Sequence, residues 1–125
     1  MDSVISWLLE GDASIRYMAH RDLLRADADT LARLQACLPL EGFCARMLSL
    51  QNENGHWGRH YYQPKWTSTH YTLLELKDMC LPRSNPACGE AVFRMFDECQ
   101  LPGGAMNLSK HDHPGDICVD GMILG

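Results

Sequence analysis

Two heptapeptides, Gln51-Asn52-Glu53-Asn54-Gly55-His56-Trp57 and Gln100-Leu101-Pro102-Gly103-Gly104-Ala105-Met106, share glutamine at the first place and glycine at the fifth, 49 residues apart. The apolar residues ahead of them keep that offset: Phe43 pairs with Val92 and Met47 with Phe96. Each unit reads as an apolar helix, a Gln-x3-Gly turn and a further helix. A hairpin of this size cannot bury its apolar face alone, so such units stack on one another. The expected fold is all-α, made of α-hairpin repeats.

Helical spacing recurs along the rest of the chain, and no segment alternates polar and apolar residues long enough to read as a strand. Val4, Trp7 and Leu8 share one face of residues 3–9, a helix that Gly11 ends. Asp12 or Ser14 can cap a second helix with Ile15, Met18, Ala19 and Leu23 on its apolar face. Thr30 opens a third, through Leu31, Leu34 and Leu38, which Pro39 limits. A fourth begins near Gly42 and carries Phe43, Met47 and Leu50 inward. Thr67 or Ser68 can cap a fifth with Tyr71, Leu74, Met79 and Cys80 on its buried side, closed by Pro82, and a sixth is expected over residues 85–98.

At 125 residues the chain is expected to form one domain, residues 1–125, and 46% apolar residues can supply its core. A net charge of -5 lacks the positive field that draws proteins onto phosphate backbones, which excludes nucleic acid as the expected partner. The first apolar stretch, residues 4–9, is broken by Ser6, preceded by Asp2 and closed by Glu10, so neither a signal peptide nor a membrane span is expected. Without an export signal, six cysteines in no C-x2-C pair read as buried thiols or metal ligands rather than disulfides, in a reducing, cytoplasmic setting.

Gln51, Gly55 and Trp57 resemble the Gln-x2-5-Gly-x-Trp signature that ends the repeats of the terpenoid cyclase and prenyltransferase superfamily; in the second copy Met106 replaces the tryptophan. Further likeness, to bacterial squalene-cyclase-like or prenyltransferase-like repeat proteins of unassigned activity, runs through Trp7-Leu8-Leu9, Gly11-Asp12, Ser14 to Tyr17, Arg21 to Leu24, Pro64 to Tyr71 and Asp116 to Val119. The resemblance implies an α/α toroid, incomplete at this length. It also implies turn-fastening roles for Gln51, Gly55 and Trp57: glycine permits a backbone closed to other residues, the indole covers the turn, and the amide pairs with helix-end groups.

The superfamily's cyclases protonate an alkene or epoxide with an Asp-x-Asp-Asp group, which this chain lacks. Asp27-Ala28-Asp29-Thr30 has two of the acids and reads as a solvated link and helix cap. In a toroid cavity Trp57, Tyr61, Tyr62, Trp66 and Tyr71 could stabilise a carbocation; otherwise they pack. Arg59, His60 and Lys65 could meet an anion such as a diphosphate with the backbone N–H groups of a helix opening at Thr67, or remain solvated. His70 is either an acid or base in a cavity or a buried imidazole satisfied by a neighbour.

Protein prenyltransferase β subunits resemble residues 111–118 in one respect, an Asp-x-Cys pair on zinc, matched by Asp116 and Cys118. His111 or His113 could fill further tetrahedral places, and the competing reading is an exposed turn. The expected function is a toroid repeat module that binds or assembles, with part of an enzyme acting on an isoprenoid-like or other apolar substrate as the alternative. The candidate partners are an apolar small molecule and a second copy joined through an open end at the apolar residues 119–124, where the chain reads as a truncated or partial toroid.

Overall fold

The computed structural model describes residues 2–125. It is all-α: α1 (Ser3–Leu9), α2 (Ala13–Asp22), α3 (Ala28–Cys37), α4 (Gly42–Ser49), α5 (Thr69–Asp78), α6 (Pro86–Cys99) and α7 (Ile117–Leu124). An aspartate caps four of them. Asp2, Asp12, Asp27 and Asp116 accept the N–H groups of Val4, Ser14, Thr30 and Cys118, at 2.8, 2.9, 2.7 and 2.9 Å. Each bond satisfies a donor that the first turn leaves without an intrahelical partner. Thr30 therefore lies inside α3 as the donor rather than opening it. The Ser68 hydroxyl, expected as a candidate cap for α5, is buried without a hydrogen-bond partner.

The described residues form two compact units. The first comprises the chain up to Leu50 together with Leu76–Asn85. There α2 packs against α1, α3 and α4, with Ala13, Tyr17, Ala19, Leu38, Cys44, Leu76 and Leu81 buried. Asp12 does more than cap α2: its second carboxylate oxygen accepts the N–H of Phe43 at 2.8 Å, so one side chain holds the starts of α2 and α4. Several expected core positions face water instead. Val4, Trp7, Ile15, Leu23, Phe43 and Leu50 are exposed, Trp7 at 70%, while Tyr17 and Cys44 take the interior places. Helical spacing identifies which residues share a face but not which face a neighbouring helix covers.

The second unit comprises Gln51–Glu75 and Pro86–Gly125. Its core is Tyr61, Met95, Cys99, Met106, Leu108 and Val119, against which Tyr62, Phe96, Met122 and Ile123 pack. The apolar segment expected to lie open forms α7, which buries Val119 and half-buries Met122 and Ile123, leaving Ile117 and Leu124 at 89% and 83% exposure. No helix among the described residues is long and apolar enough to cross a membrane.

Candidate functional site

The two Gln-x3-Gly turns lie in the second unit and close with the same backbone bonds. In the first, Gly55 N–H donates to Asn52 O at 2.9 Å and Asn52 N–H to His56 O at 2.8 Å. In the second, Gly104 donates to Leu101 O and Leu101 to Ala105 O, each at 2.8 Å. Both glycines sit at positive φ, +84° and +94°, the left-handed region that a side chain disfavours. The seventh residue of each turn is buried, Trp57 at 2% and Met106 at 3%, and each gives its N–H to a side-chain oxygen of a later helix. Trp57 donates to Thr69 Oγ1 of α5 at 3.1 Å, and Met106 to Asp120 Oδ1 of α7 at 2.9 Å. The Gln51 amide adds a bond to Gly55 O at 3.0 Å.

Thr69 is a fastener that helical spacing alone does not reveal. Its hydroxyl accepts the Trp57 N–H, donates to Trp57 O at 3.3 Å and shares a hydrogen bond with His56 Nδ1 at 2.9 Å. From α6, Arg94 donates to Asn54 O at 2.8 Å, and Glu98 accepts the Tyr61 hydroxyl at 2.8 Å. Burial, then the bond to Glu98, pushes the Tyr61 phenol well above its ordinary range. Thr69→Val keeps nearly the same volume and removes the hydroxyl with its bonds to Trp57 N–H, Trp57 O and His56 Nδ1. It should lower stability by about 1–3 kcal/mol in urea unfolding. An unchanged midpoint would show that Thr69 does not hold the turn.

Beyond the first turn lies a row of rings. Trp66 and Tyr71 have centroids 4.9 Å apart, Tyr71 and Tyr62 5.4 Å, and Tyr62 and His70 6.1 Å. The Tyr62 and Tyr71 hydroxyls are hydrogen-bonded at 3.0 Å. This bond, followed by burial and the nearby charges of Tyr62 and Asp116, raises the Tyr71 phenol to about 12. Trp66 stands at φ +77°, unusual for a bulky residue, is largely exposed, and carries the Lys65 ammonium 4.9 Å from its ring centroid. The structure thus brings Lys65, Trp66, His70 and Tyr71 together; Arg59 is exposed, and no hydrogen bond or ion pair joins its side chain to them.

His56, His60 and His70 are all held below the usual imidazole range, in each case mainly by burial. His70 is 2% exposed, and its Nε2 has no hydrogen-bond partner; the same holds for His60 Nδ1. Of the two expectations for His70, the buried one describes its position, but a satisfied Nε2 is not found.

The zinc expectation is corrected. Among the described residues no three His, Cys, Asp or Glu side chains are grouped so as to hold a metal ion. His111, His113, Asp116 and Cys118 are all exposed; Asp116 caps α7, and His113 Nδ1 accepts the Gly115 N–H at 3.1 Å. The Asp-x-Cys pair is a helix start, whose spacing reflects capping rather than coordination.

A cleft of about 290 Å³ opens between the second turn and α7. Tyr62, Met106, Leu108 and Val119 supply its apolar wall, and Asn107, Lys110, His113 and Asp116 contribute polar groups. No family model matches the chain, and no curated protein or solved structure matches it.

Proposed function

We propose that the chain is a repeat-type binding module of the α/α-toroid kind, related to prenyltransferase-like and squalene-cyclase-like repeats, that takes a small amphipathic molecule in the cleft beside its second turn. One observation carries the reading. The second turn copies the backbone bonds of the first, and its last residue, Met106, with the four that follow, Asn107 to Lys110, lines a cleft half apolar and half polar. Concave sites with an apolar wall and a few placed polar groups are the usual form of small-molecule sites.

The cyclase form of the enzymatic alternative needs a carboxyl group held protonated near neutral pH. Asp27, the first acid of the partial Asp-x-Asp-Asp match, accepts hydrogen bonds from Thr30 and is held below the usual carboxylate range by them. That environment favours the anion, the opposite of a proton donor.

An NMR screen of the labelled chain against small compounds with mixed polar and apolar character tests the binding reading. At least one compound should shift the amides of Met106, Leu108 and Val119 while leaving those of Asn52 and Gly55 in place. If no compound at millimolar concentration moves the cleft amides, the binding reading fails.

A further inference from the structure

We infer that the cleft beside the second turn selects a small zwitterion, an alkylated ammonium at one end and a carboxylate or phosphate at the other. This rests on the binding reading above and goes further by naming the ligand class. Lys110 and Asp116 both line the cleft and carry opposite charges, so a singly charged ligand meets one attractive and one repulsive group, whereas a dipolar ligand satisfies both. An aromatic residue lines the same cleft as Asp116. Tyr62 lines the cleft and is hydrogen-bonded to Tyr71, whose hydroxyl feels the Asp116 charge. A ring face beside a carboxylate suits an ammonium whose methyl groups replace N–H donors, because it offers electrostatic attraction and apolar contact without requiring hydrogen bonds. The same row already receives an ammonium, Lys65 over Trp66. Met106, Leu108 and Val119 line the same cleft and supply apolar contact that suits a short methylene linker.

Asp116 spends one carboxylate oxygen on the Cys118 N–H, so Asp116→Asn retains a capping acceptor while removing the charge. Lys110 is exposed, and Lys110→Gln should leave the fold intact. The experiment titrates wild type and both variants with glycine betaine, phosphocholine, tetramethylammonium and acetate, reading the Met106, Leu108 and Val119 amides by NMR, with a thermal melt of each variant as the folding control. Wild type should bind one or both zwitterions more tightly than either single ion. Preference between betaine and phosphocholine then distinguishes carboxylate from phosphate as the anionic end. Lys110→Gln should weaken zwitterion binding about three- to five-fold and leave tetramethylammonium no weaker. Asp116→Asn should weaken zwitterions and tetramethylammonium by a similar factor and leave acetate no weaker.

Equal loss of all four probes in a variant that melts like wild type would overturn the assignment of charges. So would zwitterions that bind no better than the single ions. If neither zwitterion moves the cleft amides while another compound in the screen does, the zwitterion inference fails and the binding reading stands; if nothing moves them, both fail.

Discussion

Replacing Trp57 with alanine should lower the stability of the chain by about 3–5 kcal/mol, the loss expected when a buried indole is truncated and its site only partly collapses. The side chain is 2% exposed, and the backbone beneath it is tied to α5 through Thr69, which limits how far the turn can move to fill the space. Gln51→Ala provides the contrast. Its amide makes one bond to Gly55 O from a half-buried position, so its loss should cost about 0.5–1.5 kcal/mol. Urea unfolding followed by far-UV circular dichroism measures both. A Trp57→Ala midpoint equal to wild type would reject the fastening role, and a larger loss for Gln51→Ala than for Trp57→Ala would reverse the order assigned to them.

Acidification should destabilise the second unit through its buried imidazoles. His56, His60 and His70 are held below the ordinary imidazole range, chiefly by burial, so at a given mildly acidic pH the unfolded chain binds protons that the folded chain excludes. Well above pH about 6.5 the three rings are neutral in both states and contribute no pH dependence. As pH falls below that value, each ring removes up to about 1.4 kcal/mol per pH unit until its folded-state value is reached. Other groups modify the three differently. Arg94 and Lys110 also disfavour the charged form of His56, whereas Glu98 favours it, and nothing beyond burial acts on His70. The bonded carboxylates Asp22 and Asp27 lose their contribution only at lower pH, because their values already lie below the usual carboxylate range. Urea midpoints from pH 7.5 to pH 5 should therefore fall, and imidazole NMR titrations should place all three folded-state values below the ordinary one. Midpoints flat across that interval would refute buried, neutral imidazoles.

The reason much of this chain could be read before its structure is that its decisive signals are local. The helix start at Asp12 depends on a side chain reaching an N–H two residues on, and the turn at Gln51 depends on a glycine at positive φ and an amide four residues away. Interactions of that range are written in short stretches of sequence, which is why the helices over residues 3–9 and 85–98 were legible to within a residue. The offset between the two turns was legible for the same reason, since each closes on its own backbone.

What the sequence by itself determined is therefore the first six helices, most of their boundaries and the turn at Gln51-x3-Gly55-x-Trp57, while α7 was not read from it. Tertiary structure alone decided which faces were covered. Phe43 and Leu50 keep helical spacing yet stay in water, while Cys44 between them is buried, because the choice depends on where α2 lies and not on α4 itself. It also decided the grips of Thr69 on Trp57 and Asp120 on Met106, the second bond of Asp12 to Phe43, and the meeting of Tyr62, Lys110 and Asp116 around one cleft. Lys110 and Asp116 aside, those partners lie from twelve to more than fifty residues apart, and a chain reaches such pairings only when packed helices have set the distance, since no local periodicity encodes it. The Asp116-x-Cys118 pair shows the same division: its spacing served both a metal ligand and a helix cap, and the absence of a third ligand in space left the cap.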